Sequence, residues 1–227
     1  MSQEIIIRSA DDVDIPVYVF EPKGAVKGAL ILLQEIFGVN QHIKEVAQNY
    51  SDAGYIVYTP DIFHRIKKHI ELEYGEKDIQ EGLSIKEKVG WDIPVMDIVA
   101  CAANLKTKHK VAVLGYCFGG SLSWRANQKS HIFDACVSFY GSSVSEFTDI
   151  EPKSPVMLHF GSLDKSIPKE NISKIESFCK KSDKEINIFS YENADHGFNC
   201  NMRSSYNKEA ASLAWDRSIA FLEKYIS

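Results

Sequence analysis

Short apolar runs rich in β-branched residues alternate with longer polar segments of helical spacing along most of this chain, and few folds accommodate that order. Residues 29–33 read Ala-Leu-Ile-Leu-Leu, a continuous apolar run suited to a strand covered on both faces. A helix is expected from Asn40, because Ile43, Val46, Ala47 and Tyr50 recur at helical spacing and Gly54 supplies a stop. Residues 55–58 read as the next strand, closed by Thr59-Pro60-Asp61. Helical spacing returns over 93–105, and residues 110–114 read as a buried strand feeding a helix over 118–128. Three more strands are expected at 133–139, 155–160 and 185–191, with a helix over 169–180 between the last two. An amphipathic helix over 207–225, with Leu213, Ala214, Ile219, Phe221 and Leu222 apolar, closes the chain. At the front, residues 5–7 and 15–20 form a predicted hairpin, and Pro16 places its second strand near a sheet edge. Residues 63–88 are looser and rich in Lys and Glu, and predict a loop with a short helix. The sum is an α/β sandwich with a mostly parallel sheet, an antiparallel N-terminal edge and right-handed crossovers. In such sheets ligands bind beyond the carboxyl ends of the strands, so the chemistry is sought just after each strand.

No repeat or flexible linker divides the 227 residues, and the expectation is a single domain over 1–227. With 44% apolar residues and a formal charge of −5, disorder is excluded as the main state, and a basic nucleic-acid-binding stripe is absent. No apolar run approaches the roughly 20 residues that span a bilayer. The start, Met1-Ser2-Gln3-Glu4-Ile5, lacks the basic and apolar regions of a secretory signal. Five cysteines, an odd number without CxxC pairs or zinc-type spacing, suggest reduced thiols in the cytoplasm. No metal or cofactor is called for by these motifs.

The strand Val111-Ala112-Val113-Leu114 runs into Gly115-Tyr116-Cys117-Phe118-Gly119-Gly120 and then a helix. This G-x-C-x-G-G turn has the physics of the G-x-S-x-G elbow, in which a nucleophile sits on a sharp strand-to-helix turn. Flanking glycines remove side chains that would clash there, and the helix N-terminus favours a thiolate. Cys117 is therefore the candidate nucleophile. Cys101 and Cys179 fall in expected helices and Cys136 in an expected strand, where packing explains them.

A thiol nucleophile needs a base, and the base an orienting acid. Of the histidines after Cys117, His159 lies inside an apparent strand and His131 in a surface turn. His196, in Ala194-Asp195-His196-Gly197-Phe198, follows the strand ending at Tyr191 and is the candidate base. Asp164, in Gly161-Ser162-Leu163-Asp164, stands just past the preceding strand and is the candidate acid, with Asp195 read as a cap or turn residue. The oxyanion donors expected are the N–H groups of Phe118 and of Ile36, the latter in the loop Gln34-Glu35-Ile36-Phe37-Gly38. Position alone leaves Glu35 open between a surface loop residue and a functional carboxylate. His64, His69 and the Lys67-Lys68 pair are expected on a solvated face, and the segment 63–91 in the pocket wall.

Gln34-Glu35-Ile36-Phe37-Gly38-Val39-Asn40, Pro60-Asp61, the Cys117 elbow, Gly161-Ser162-Leu163-Asp164 and His196-Gly197-Phe198 together resemble the dienelactone hydrolases, or carboxymethylenebutenolidases. The motifs run in family order across nearly the whole chain. The resemblance implies a single-domain α/β-hydrolase fold, helices on both faces of its sheet and no large lid, with a Cys-His-Asp triad at Cys117, His196 and Asp164. It also implies that Glu35 interacts with the cysteine and takes part in switching it on when substrate binds. Well-known members hold the substrate carboxylate with two arginines. This chain has none in 71–87, and has Cys200 four residues after the histidine. Arg203, three residues further on, either reaches the same pocket or caps the last helix.

The function expected is a thiol esterase for small esters or enol lactones, working through a Cys117 thioester without cofactors, nucleic acid or membrane, as a monomer or small homo-oligomer. The alternatives are acyl transfer on the same triad, or a redox or binding protein using Cys117 and Cys200.

Overall fold

The computed structural model describes residues 3–227; Met1 and Ser2, where the reading of the N-terminus begins, lie outside the described residues. Among the described residues eight strands form one sheet: β1 (Gln3–Arg8), β2 (Asp14–Phe20), β3 (Gly28–Leu33), β4 (Tyr55–Pro60), β5 (Val111–Tyr116), β6 (Ala135–Phe139), β7 (Val156–Gly161) and β8 (Ile186–Tyr191). Their spatial order is β1-β2-β4-β3-β5-β6-β7-β8. The β1/β2 and β2/β4 pairs are antiparallel, and every later pair is parallel. Pro16 faces Ile6 of the edge strand β1 and lies just outside the β2/β4 ladder, which begins at Val17. Its missing N–H therefore costs no pairing on the β4 side.

Six helices complete the fold among the described residues: α1 (Gln41–Asp52), α2 (Glu76–Val89), α3 (Asp92–Lys106), α4 (Phe118–Lys129), α5 (Lys169–Cys179) and α6 (Lys208–Ile226). Strands β3, β5, β6 and β7 are buried along their whole length, as their unbroken apolar runs require when helices cover both faces. Helices α1 and α6 meet through the Tyr50 and Trp215 rings, 4.6 Å apart. Two helices begin on side-chain caps, with Asn40 accepting from Ile43 N–H and Asn207 from Ala210 N–H.

The segment 63–91 departs from expectation. It carries the full helix α2, whose only buried residues are Gly82 and Ile85, so its pattern reads as solvated loop. Gly82 is glycine because a Cβ there would stand 2.4 Å from the Ile36 carbonyl oxygen, which sets α2 directly against the loop after β3. His64 corrects the expected solvated face. It is buried, and its Nε2 lies 3.0 Å from Asp97 Oδ2, a carboxylate that also pairs with Arg65 and Ser9. Lys67, Lys68 and His69 are exposed as expected.

Candidate active site

Strand β5 ends one residue before Cys117, and α4 begins one residue after it. To join them, Cys117 adopts φ 53° and ψ −112°, a conformation L residues rarely take. The turn is held by backbone: Cys117 N–H donates to Phe139 O at 2.9 Å, and Gly119 N–H to Gln34 O at 3.0 Å. A Cβ at Gly119 would lie 2.5 Å from the carbonyl oxygens of both Leu33 and Gln34, and one at Gly115 would lie 2.1 Å from Gly119 O. Only glycine lets the helix start come this close to the sheet. Cys117 itself is partly exposed, whereas Cys101, Cys136, Cys179 and Cys200 are all buried.

Asp164 and His196 stand on the loops after β7 and β8, and those loops are tied together. Ser162 N–H donates to Tyr191 O at 2.9 Å and Leu163 N–H to Ala194 O at 2.8 Å. His196 Nδ1 lies 2.7 Å from Asp164 Oδ2, an oxygen on a fully buried carboxylate. With Nδ1 donating to Asp164, Nε2 is the nitrogen left to accept from a thiol. Burial of the ring opposes the imidazolium, but the electrostatic and hydrogen-bond interactions with Cys117 and Asp164 outweigh that and raise the His196 pKa to about 10. Burial likewise opposes the Asp164 charge, yet the hydrogen bond from His196 and those from Ser166 hold its pKa below the usual carboxylate value. Ser166, which motif reading passed over, donates its N–H to Asp164 Oδ1 at 2.9 Å and sets its hydroxyl 3.1 Å from His196 Nδ1. Its signal in the sequence is the spacing Asp-x-Ser, typical of a side-chain turn. Asp195 is exposed and caps its own turn by accepting from His196 N–H.

The expected oxyanion donors are the N–H groups of Phe118 and Ile36. The Phe118 N–H opens α4, ahead of the first intrahelical bond. The Ile36 N–H lies in the loop that Gln34 pins to both neighbours, through its backbone carbonyl to Gly119 and its side chain to Ile62 N–H at 3.1 Å. Among the described residues neither N–H is consumed by another hydrogen bond of the loops and caps.

Glu35 is wholly buried. Its hydrogen-bond partner is Arg203 rather than Cys117: Arg203 Nη1 donates to Oε1 at 3.4 Å, and Oε2 is left without a partner. Arg203 does not cap α6, whose first turn is capped by Asn207. The guanidinium passes over Gly197 (φ +78°), where a Cβ would stand 2.4 Å from Nη1, and packs near the Phe37 and Tyr74 rings. Residues 71–75 line a cavity of about 600 Å³ together with Asn40, Gln41 and Met202, and none of Cys117, Asp164 and His196 is among its lining. Tyr140, another residue the motifs did not reveal, has φ 38° and packs its ring 5.1 Å from that of His196. His159 is a core histidine as expected, bonded to the Tyr191 and Ser218 hydroxyls. Glu35, His42 and Cys200 cluster closely enough to be candidate metal ligands.

Comparison with known proteins agrees with this architecture. The family model for the dienelactone hydrolase family matches residues 15–226. A Synechocystis protein named "Putative carboxymethylenebutenolidase" is 32% identical over 203 residues, covering 83% of this chain and 82% of its own. The carboxymethylenebutenolidase of Pseudomonas putida is 27% identical, with 98% and 96% of the two chains covered. Among solved structures, a protein titled "Putative Dienelactone Hydrolase" from Klebsiella pneumoniae superposes with a TM-score of 0.86 at 25% identity, over 99% of both chains. An α/β-hydrolase fold, a cysteine at the elbow and a match spanning most of the length converge: this chain belongs to the dienelactone hydrolase family and is a hydrolase of that family.

Proposed function

We propose that the protein is a thiol esterase for small esters or enol lactones, with Cys117 as nucleophile, His196 as base and Asp164 as its orienting acid. The observation that carries this reading is the strained Cys117 turn beside a His196 ring whose Nδ1 is held 2.7 Å from a buried carboxylate. In the first step His196 takes the thiol proton, the Cys117 sulfur attacks the carbonyl carbon, and the carbonyl π electrons move to oxygen. The Phe118 and Ile36 N–H groups stabilise that oxyanion. Collapse expels the alcohol or enolate, which takes its proton from His196, and leaves a thioester on Cys117. His196 then removes a proton from water, the hydroxide adds to the thioester carbonyl, and the thiolate departs with the carboxylic acid as product. A thiolate is a better leaving group than an amine or a poor alkoxide, so activated esters and enol lactones are favoured over amides. Arg203, the cation next to Glu35, is the group available to a carboxylate on the substrate.

The test is hydrolysis of p-nitrophenyl acetate and of a dienelactone, side by side, by wild type and Cys117→Ala, with mass spectrometry of the quenched wild-type protein. The expected result is loss of activity in the variant and a transient mass increase equal to the acyl group. Equal activity in both proteins would remove Cys117 as nucleophile. A stable acyl adduct discharged only by an added thiol or amine would favour acyl transfer.

A further inference from the structure

Three residues from different segments converge near Arg203. Glu35 lies in the loop after β3, His42 in the first turn of α1, and Cys200 in the connection from β8 to α6. One donor atom from each lies within 4.8 Å of the other two, and all three residues are buried. Two of the donors lack partners: Glu35 Oε2 and His42 Nε2 make no hydrogen bond. A folded protein rarely leaves such buried polar atoms unpaired. Because Oε1 accepts from Arg203, the free oxygen can take a second ligand without breaking that ion pair. A cavity of about 320 Å³, lined by His42, Tyr116, Asn199, Asn201 and Trp215, leads to the imidazole and offers an entry path.

We propose that Glu35, His42 and Cys200 form a binding site for a thiophilic divalent cation, with Zn²⁺ the ion their donors fit best. One carboxylate oxygen, one imidazole nitrogen and one sulfur suit zinc and exclude calcium or magnesium, which take oxygen ligands. Three protein donors leave a fourth tetrahedral position for water. Zinc bonds of about 2.0–2.3 Å place tetrahedral donors roughly 3.5 Å apart, so the side chains need close inward by only about 1 Å. Burial lowers the His42 pKa, which keeps its ring neutral with a free lone pair. Burial raises the Cys200 pKa, so the thiol enters protonated and releases one proton as the sulfur–metal bond forms. The Tyr74 hydroxyl stands beside that sulfur as an outer partner. Zinc binding at these three residues does not rest on the esterase reading.

The experiment is a Co²⁺ titration of full-length Cys117→Ser protein, in which the elbow thiol cannot contribute, read by sulfur-to-cobalt charge-transfer absorption. One equivalent is expected to bind with that band, and added Zn²⁺ to displace it. Cys200→Ser in the same background abolishes the band, and His42→Asn weakens Co²⁺ binding at least tenfold. Circular dichroism establishes that each variant is folded, and His42→Asn alone decides the matter if Cys200→Ser does not fold. Absence of the band in Cys117→Ser, its persistence after Cys200 is removed, or unchanged affinity in His42→Asn would overturn the assignment. None of these readings depends on catalytic turnover.

Discussion

Replacing Arg203 with methionine keeps most of its aliphatic stem and removes the guanidinium that packs near Phe37 and Tyr74, with the charge that faces Glu35. The carboxylate it leaves behind is 0% exposed, while the guanidinium side chain is 19% exposed, so water replaces little of what is lost. At the observed 3.4 Å, point charges at an effective dielectric constant of about 20 attract by about 5 kcal/mol; spreading of both charges over their groups brings this to about 3 kcal/mol. Orphaning one member of a buried pair costs about 3–5 kcal/mol. Arg203→Met is therefore expected to lose about that much stability. Glu35→Gln/Arg203→Met, which removes both charges, is expected to recover much of it. Urea unfolding of wild type, both single variants and the double variant at one pH closes the thermodynamic cycle, with an expected coupling of about 3 kcal/mol. A coupling below about 0.5 kcal/mol would mean that Arg203 does not stabilise the buried carboxylate, and the reasoning about this pair would fail.

Four further outcomes are expected. Gly119→Ala, whose Cβ meets two carbonyl oxygens at 2.5 Å, should displace the elbow and lower kcat on p-nitrophenyl acetate at least a hundredfold while the protein stays folded by circular dichroism. Asp164→Asn should lower kcat by about 10²–10⁴ with KM little changed, since it removes the acceptor that orients His196; steady-state kinetics decide it. The His196 ring, followed by NMR, should titrate near 10 in wild type and at least one unit lower in Cys117→Ala, because losing the neighbouring anion destabilises the imidazolium. Burial pushes the His159 pKa down to about 3, below its unfolded value of about 6.5. The unfolded chain then binds the extra proton first as pH falls, so stability is full above about 6.5 and drains away toward about 3. Between pH 7 and pH 5 the loss is about 2 kcal/mol, and it should be missing from the corresponding urea series on His159→Gln.

What could be read from the chain in advance was what local order encodes. Each parallel strand announces itself as an apolar run, and Cys117, Asp164 and His196 each stand a few residues beyond one, so fold and chain order together single them out. The details that escaped depend on distant partners. His64 reads as solvated beside Lys67, Lys68 and His69, yet it is buried because its partner Asp97 stands on α3. Helix α2 reads as shorter than it is because its face toward the protein is narrow, with one glycine and one isoleucine buried. Arg203 could be placed only once Gly197 was seen to leave room for its guanidinium, a relation between two residues with no periodic signature. The pairing of Glu35 with Arg203 instead of Cys117 belongs to the same class.

The Cys117 elbow has an implication for how such a scaffold can change its chemistry. Every contact that holds the turn, from Phe139 O to Cys117 N–H and from Gln34 O to Gly119 N–H, is made by main-chain atoms, and the close approaches are made by glycines. The side chain at position 117 therefore takes no part in building its own platform. A serine or an aspartate at that point would inherit the same perch and the same flanking donors. Swapping the reactive atom is separable from refolding the protein, and one architecture can in this way be stocked with different nucleophiles at little structural cost.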